Sequence, residues 1–443
     1  MVESQAPLSL NRQNLRTFYL LVVTQTLSLV GSRMTSIAIG IWLFTTTGNT
    51  TPLLLTAFFA ELPGVMGSSL AGVLVDRWDR RTVLMLSDGG QAAGTLVLLI
   101  SFASGHFQIW HLYAVALLQG IFAIFQGPAR DAATTMLVSE TQRERANGIL
   151  QMSFPLAGVI APVLTGILYI FIQITGVILI DLATFLVAVT VVFLVRIPRP
   201  KQTAEGLAAQ GNIWKEMLGS LRFLIKRRTL FALVLYLTLI NFLLNGPLEL
   251  AIPYLITITG SEATMGSLMG VISLGAFTGA TLIAVWKGTR PRLYTLLSGL
   301  LLTGLMFLVY GTGRTPLVLG ISLFFLMIPL PISGALFVSI LQVKTPPDMQ
   351  GRIFAMISQL HFLGATSSFL AAGTLVDHVL EPAVASPGWE IVAPLVGSQP
   401  GAGIGLLLVV TGAIILVSTL AVFAHPQLRR LELILPNYEA RSE

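Results

Sequence analysis

The chain has no cysteine among its 443 residues, and charged residues make up only 10% of it. Without cysteine, disulfide bonds, thiolate nucleophiles and Cys-ligated metal sites are excluded. The motifs His-Glu-x-x-His and Gly-x-Ser-x-Gly, which are typical of zinc peptidases and serine hydrolases, are missing as well. We therefore expect a protein that is not an enzyme and that needs neither a cofactor nor a metal ion.

Apolar residues take the place of the missing charges. They form 54% of the chain, and the mean hydropathy is +0.82. Charged residues make up about a quarter of an ordinary soluble protein, so this apolar surface must face lipid. A formal net charge of +6 would suggest nucleic acid in a soluble protein, but here Lys and Arg fall in alternate loops. The composition predicts an integral protein of the lipid bilayer with no nucleic-acid partner.

Twelve apolar stretches are long enough to cross a bilayer, which takes roughly 20 helical residues. They cover residues 16–45, 53–75, 82–104, 109–137, 147–171, 175–196, 229–258, 264–286, 292–312, 316–341, 352–378 and 401–424. We expect an all-α membrane protein with twelve transmembrane helices in two pseudo-symmetric six-helix bundles. The predicted parts are an N-terminal bundle at 1–196, a cytoplasmic linker with an interfacial helix at 197–228, and a C-terminal bundle with a cytoplasmic tail at 229–443. Prolines predict bends at Pro155, Pro162, Pro247, Pro253 and Pro329-Leu330-Pro331.

The distribution of positive charge orients these spans, because cytoplasmic loops retain Lys and Arg. One side carries the linker, the tail and Arg12, Arg16, Arg77, Arg80, Arg81, Arg143, Arg145, Lys287, Arg290, Arg292, Lys344 and Arg352. The opposite loops contain only Arg314. An even number of spans then puts both termini in the cytoplasm of a multi-pass protein of the cell membrane.

The loop between spans two and three carries the most specific motif. It reads Gly72-Val73-Leu74-Val75-Asp76-Arg77-Trp78-Asp79-Arg80-Arg81. This resembles the signature of the major facilitator superfamily, Gly-x-Leu-x-Asp-Arg-x-Gly-Arg-Arg/Lys, with Asp79 in place of the usual glycine. In that family a charge network holds the two halves outward-open, and the resemblance implies that Asp76, Arg80 and Asp131 form it. The alternative is that these charges only anchor the topology.

A second motif lies in span five. Its positions are Gly148, Ala157, Ala161, Pro162 and Gly166, at the spacing of the family's antiporter motif with alanine replacing some glycines. The resemblance implies export by antiport, although small residues also serve ordinary helix packing in membranes. Over nearly the whole chain the details resemble the macrolide-efflux and siderophore-exporter branch of proton-linked drug antiporters. None of these details defines a substrate.

Two charges lie inside the first two spans. Arg33 and Glu61 fall about 12 to 17 Å below the outer surface at a rise of 1.5 Å per residue. An ionisable side chain at mid-bilayer costs roughly 2.5 to 3.5 kcal/mol, so each needs a partner, water or a function. Three interpretations stay open: a permanent structural pair, a pair that titrates or contacts substrate, and no contact.

A polar stripe in span seven is the most informative pattern of the second half. Thr238, Asn241, Asn245 and Glu249 lie three or four residues apart and share one helix face. This face either lines a central cavity, where the Glu249 carboxyl would carry a proton, or forms a hydrogen-bonded seam between helices. His361 in span eleven titrates in the right range, but a lone membrane histidine more often serves packing.

Polar stripes also mark spans one and four. They consist of Gln25, Ser28, Ser32 and Ser36 in span one, and of Gln119, Phe122, Gln126 and Arg130 in span four. Together with span seven they predict a cavity that suits bulky amphipathic solutes. Asp88 and Asp181 are expected to lie hydrated near helix ends.

These patterns lead to one functional hypothesis. The protein would be a monomeric secondary transporter that exports a small hydrophobic or amphipathic compound, drug-, macrolide- or siderophore-like, by proton antiport with alternating access. Its proton-coupling candidates are Glu61 and Glu249, followed by Arg33 and His361. An importer or lipid flippase of the same fold is the main alternative. A membrane sensor that transports nothing is the alternative from another class.

Overall fold

In the computed structural model, the described residues are 8–137, 143–195, 222, 224–286, 291–345 and 350–435, except for the side chains of some helical positions. This part of the chain is helical and contains no strand. The helices are α1 (Leu8–Thr47), α2 (Thr51–Arg77), α3 (Arg80–Ala103), α4 (Ile109–Leu137), α5 (Arg143–Leu194), α6 (Arg228–Glu249), α7 (Ala251–Thr259), α8 (Glu262–Trp286), α9 (Arg292–Thr312), α10 (Pro316–Met327), α11 (Pro329–Lys344), α12 (Gln350–Leu375), α13 (Glu381–Ala383), α14 (Ala393–Val396), α15 (Ala402–Ala424), α16 (Pro426–Arg429) and α17 (Leu431–Ile434). A π-helical turn, Val376–Leu380, extends α12, and a 3-10 turn, Pro387–Ile391, precedes α14.

The described helices accommodate the predicted spans. Within the described residues, nine helical stretches are long and apolar enough to cross a membrane. The stretch in α5 consists of two helices joined at Gln173, where a φ of 52° and a ψ of −173° leave the helical region. α2 and α12 have 27 and 26 residues and are long enough to span as well. The prediction of an all-α membrane fold with twelve spans is confirmed.

Two of the predicted bends coincide with breaks between helices. α6 ends at Glu249 and α7 begins at Ala251, with Leu250 at a ψ of 1° between them, three residues after Pro247. α11 begins at Pro329, which lacks the N–H that would continue α10. Pro155 and Pro162, in contrast, lie within α5 at positions that stay helical.

The chain divides into two compact units. Unit 1 comprises residues 1–42 and 59–210, and unit 2 comprises residues 43–58 and 211–443. The connection between α1 and α2 therefore clusters with unit 2, although most of both helices belongs to unit 1. Residues 196–221, which include most of the predicted interfacial helix, lie outside the described residues.

Close helix contacts hold each unit together. In unit 1, α3 packs against both α4 and α5. In unit 2, α9 packs along α15, where a Cβ on Gly311 would stand 2.6 Å from the carbonyl oxygen of Gly405. Small residues allow two membrane helices to approach this closely. The pair is then stabilised by van der Waals packing, because the hydrophobic effect does not favour association of helices that are already surrounded by lipid.

Candidate functional site

Asp88 on α3 lies buried where three helices of unit 1 meet. It is 1% exposed. Gln25 Nε2 on α1 donates to one carboxylate oxygen at 2.6 Å, and Gln126 Nε2 on α4 donates to the other at 2.5 Å. Gln126 Nε2 also lies 3.4 Å from Gln25 Oε1, so the orientations of the two amides fix each other. Arg130 adds electrostatic attraction. The expectation that Asp88 is hydrated near a helix end is wrong.

Asp181 in the second helix of α5 is the other buried carboxyl among the described side chains of unit 1, at 2% exposed. Ser32 Oγ on α1 donates to Oδ1 at 3.1 Å, and Thr95 Oγ1 on α3 donates to Oδ2 at 3.4 Å. Asp181 lies thirteen residues before the end of α5, which is about 20 Å along a helix. The expectation of hydration is wrong here too, because this carboxyl meets hydroxyl groups inside the bundle.

The polar stripe of α4 packs against α3 within unit 1. Gln119 Nε2 donates to the carbonyl of Gln91 at 3.1 Å and to Thr95 Oγ1 at 3.2 Å. The Phe122 ring lies over Gly90, where a Cβ would stand 2.3 Å from the ring. The stripe therefore connects to both buried carboxyls, to Asp181 through Thr95 and to Asp88 through Gln126.

An apolar pocket opens beside Asp88. Its lining is Phe18, Leu21, Val22, Gln25, Leu84, Arg130, Ala133, Leu137 and Leu150. The two polar members, Gln25 on α1 and Arg130 on α4, both interact with Asp88 as well. Such a setting, apolar with few polar groups, is typical of small-molecule sites in proteins.

Arg33 and Glu61 are separate in the structure. The Arg33 guanidinium lies 5.7 Å from the centre of the Phe154 ring, and Arg130 approaches the same ring at 6.0 Å. Glu61 on α2 is half-buried. Among the described contacts of unit 1, no ion pair joins Arg33 to Glu61. Of the three interpretations, the structure favours the one without contact.

The stripe of α6 lies partly against α12 within unit 2. Thr238, Asn241, Asn245 and Glu249 are all half-buried. Asn245 Nδ2 donates to the carbonyl of Asn241 at 2.7 Å, and a Cβ on Gly364 of α12 would stand 3.2 Å from Asn241 Oδ1. Within the part of the chain that the structure describes, no hydrogen-bond partner reaches the buried atoms Asn241 Oδ1 and His361 Nε2.

The residues of the two sequence motifs are described only in part. Gly72 lies in α2 and Gly148 in α5, but the surroundings of these glycines and the side chains of Asp76, Arg77 and Asp131 are not among the described parts of the structure. Arg80 is half-buried at the start of α3. Arg81 donates from Nε to the carbonyl of Val192 at 3.2 Å, at the end of α5. Ala157, Ala161, Pro162 and Gly166 are buried in unit 1.

Asp79, which departs from the usual glycine of the motif, has a local role. It precedes α3, and its carboxylate accepts a hydrogen bond from the N–H of Thr82 at 3.1 Å. This satisfies one of the free N–H groups of the first helical turn. The acidic substitution thus caps the helix that carries Asp88.

Comparison with known families decides the identity of the fold. The model of the Major Facilitator Superfamily matches residues 21–368. The chain belongs to this superfamily. The resemblance inferred from the loop motif is confirmed. The predictions that the protein is a transporter and not an enzyme, and that it crosses a membrane several times, are confirmed as well.

Relatives of this Major Facilitator Superfamily protein include named efflux proteins. Macrolide efflux protein A of Streptococcus pyogenes is 26% identical over 378 residues, which cover 82% of this chain and 90% of that protein. The enterobactin exporter EntS of Citrobacter koseri is 30% identical over 298 residues, which cover 65% of this chain and 68% of that protein. A bacterial homolog of the human lysosomal transporter Spinster matches in structure with a TM-score of 0.72 at 15% identity, covering 92% and 96%. That last likeness supports the fold alone.

Proposed function

We propose that this Major Facilitator Superfamily transporter exports a small hydrophobic or amphipathic compound by proton antiport. The observation that carries the proposal is the similarity to a macrolide efflux protein along 82% of the chain. The similarity to an enterobactin exporter supports the same direction of transport. The names of these relatives give a macrolide and enterobactin as their compounds, and we propose a hydrophobic or amphipathic solute of that kind for this chain.

Ionisable groups inside the spans support coupling to protons. An intramembrane carboxyl is costly and by default serves a function. We assign proton coupling to Glu61 and Glu249, with Arg33 and His361 as further candidates. The polar stripe of α6 is proposed to line the substrate path, and the network of Asp76, Arg80 and Asp131 to bias the alternation between two states. Lys and Arg in the loops support an orientation with both termini in the cytoplasm. We propose that the protein works as a monomer in the cell membrane.

The direction of transport is tested in membrane vesicles that are everted, so that export appears as accumulation. Tritiated erythromycin is the probe, and respiration acidifies the lumen. The proposal expects accumulation that is released when nigericin collapses the pH gradient. Accumulation only in right-side-out vesicles would favour an importer. Movement of a fluorescent phospholipid without erythromycin accumulation would favour a flippase, and binding without any flux would favour a sensor.

The role of Glu249 is tested in proteoliposomes with an imposed pH gradient. Glu249→Gln removes the titrating group at nearly constant size and should abolish gradient-driven transport. Glu262→Gln is the matched control, because Glu262 lies in the first turn of α8, at a helix end of the same unit. Gradient-driven transport that persists in Glu249→Gln at the wild-type rate would remove Glu249 from the coupling role.

A further inference from the structure

Asp88 and Asp181, the two carboxyls that lie buried among the described side chains of unit 1, differ in the kind of donor that surrounds them. Asp88 accepts from the amide groups of Gln25 and Gln126, and an amide N–H₂ can only donate. Asp181 accepts from hydroxyl groups, each of which can donate or accept. Arg130 attracts Asp88 as well. The neighbours of Asp88 therefore favour its ionised form, whereas the hydroxyls around Asp181 can pair with either form of a carboxyl.

Ser32 shows how the protonated form of the Asp181 carboxyl can be accommodated. Its hydroxyl lies 3.1 Å from Asp181 Oδ1 and also 3.1 Å from the carbonyl oxygen of Ser28 on its own helix. The single hydroxyl hydrogen therefore has two acceptors at equal distance. When it points to Ser28, the oxygen of Ser32 is free to accept a hydrogen bond from a protonated Asp181. The exchange needs only a rotation of the hydroxyl.

Thr35 places a further hydroxyl beside the carboxyl. It lies beside Asp181 on α1 and is 6% exposed. Within the described residues its Oγ1 is buried and has no hydrogen-bond partner of good geometry. This hydroxyl faces the carboxyl and can serve either form, as a donor to the carboxylate or as an acceptor from the neutral acid.

Thr95 and Gly31 complete the site. Thr95 Oγ1 accepts from Gln119 at 3.2 Å, so its own hydrogen is committed to Asp181 and keeps one carboxyl oxygen paired in either form. A Cβ on Gly31 would stand 3.0 Å from Asp181 Oδ1 and 2.4 Å from Thr184 Oγ1. The glycine thus leaves the space in which the carboxyl lies.

We propose that Asp181 is a proton-binding site of the transport cycle, in which its carboxylate takes up a proton to form the neutral acid and later releases it to water. The charged groups on the surrounding helices away from their ends are Arg33 on α1, Asp88 on α3, and Arg130 and Asp131 on α4. The described partners of the Asp181 carboxyl are the hydroxyls of Ser32, Thr35 and Thr95. Ser32 is half-buried, so one hydroxyl that contacts the carboxyl is itself partly accessible. The proposal rests on the proton antiport proposed above.

Infrared difference spectroscopy tests the site without any substrate. The full-length protein in lipid is compared at low and neutral pH, and the stretching band of a protonated carboxyl is recorded. The wild type should show a band from a carboxyl in apolar surroundings, Asp88→Asn should retain it, and Asp181→Asn should lose it. A spectrum of Asp181→Asn that equals the wild type, or loss of the band in Asp88→Asn instead, would overturn the assignment. If Asp181→Asn does not fold, Asp181→Glu is used instead. Its carboxyl stretching band should lie at a different frequency from that of the wild type, and a band at the same frequency would contradict the proposal.

A transport assay connects the site to coupling. In proteoliposomes, Asp181→Asn should lose accumulation of tritiated erythromycin driven by a pH gradient but keep exchange of labelled for unlabelled compound across the membrane. Gradient-driven accumulation equal to the wild type would overturn the coupling role, and so would loss of both activities in a folded variant. Absence of gradient-driven transport in the wild type, with the infrared band still present, would refute proton antiport and not the assignment of Asp181.

Discussion

Asp377 accepts a hydrogen bond from the backbone N–H of Thr50 through Oδ1, at 2.9 Å. The hydroxyl of Thr50 donates to the same oxygen at 2.9 Å, and the N–H of Thr51 donates to Oδ2 at 2.6 Å. α2 begins at Thr51, so a carboxylate from the π-helical turn after α12 caps α2. All three residues belong to unit 2. The cap therefore joins the connection between α1 and α2 to the end of α12.

Removal of this cap should loosen the start of α2. Asp377→Ala leaves two N–H groups and a hydroxyl without their acceptor, and loss of a helix cap typically costs about 0.5 to 2 kcal/mol. Hydrogen exchange of residues 51–55 should accelerate accordingly. His378→Ala is the matched control, because the exposed neighbour makes no part of the cap. Equal protection in Asp377→Ala and the control would show that the contact contributes nothing.

Glu381 gives unit 2 a pH dependence. Burial raises the pKa of Glu381 above its ordinary value of 4.5, although hydrogen bonds from the N–H groups of Ile404 and Gly401 oppose this. The folded protein therefore binds a proton that the unfolded chain has already released. Thermal stability should fall as the pH rises from 4.5 through the folded-state pKa, and Glu381→Gln should flatten that dependence. An equally steep decline in Glu381→Gln would assign it to another group.

Gly120 tests the close approach of α2 and α4. A Cβ on Gly120 would stand 2.3 Å from the carbonyl oxygen of Ala60, so Gly120→Ala should destabilise unit 1 and lower the thermal midpoint. Gly127 on the same helix has no neighbour within 4 Å, and Gly127→Ala should leave the midpoint unchanged or raise it. Alanine gains up to about 1 kcal/mol over glycine in a helix. Equal midpoints for the two variants would contradict the packing.

Arg33 and Glu61 should act independently. Because no described ion pair joins them, the effects of Arg33→Gln and Glu61→Gln on the free energy of unfolding should add within roughly 0.5 kcal/mol. A double-mutant cycle on the purified protein measures this. A coupling well beyond that limit would restore the paired interpretation.

The spans were predictable because their length and apolar composition depend on local sequence. Pro247 and Pro329 also indicated breaks, since proline acts on its own helix. Pro155 and Pro162 look the same in sequence but lie in unbroken helix. The membrane context, which can satisfy the freed carbonyls in other ways, decides between these outcomes.

The buried carboxyls were predicted wrongly for a physical reason. Counting residues from a helix end gives the depth of Asp88 and Asp181 but not the neighbours that surround them. The partners Gln25 and Ser32 lie on α1, far away in sequence, and were assigned to a cavity by their stripe. Only the packing of α1, α3, α4 and α5 brings these groups to the carboxyls. The sequence does offer one indication of this pairing. A polar stripe on α1 and acidic residues inside other spans are both costly in a membrane, so they can be expected to contact each other.

One measurement tests the central claim most directly. Purified protein in proteoliposomes is loaded with a pH-sensitive dye, and tritiated erythromycin and proton movements are recorded together. Proton antiport predicts that each movement of compound is accompanied by proton movement in the opposite direction, and that both stop when the pH gradient is collapsed. Compound flux without proton movement, unaffected by collapse of the gradient, would contradict the account.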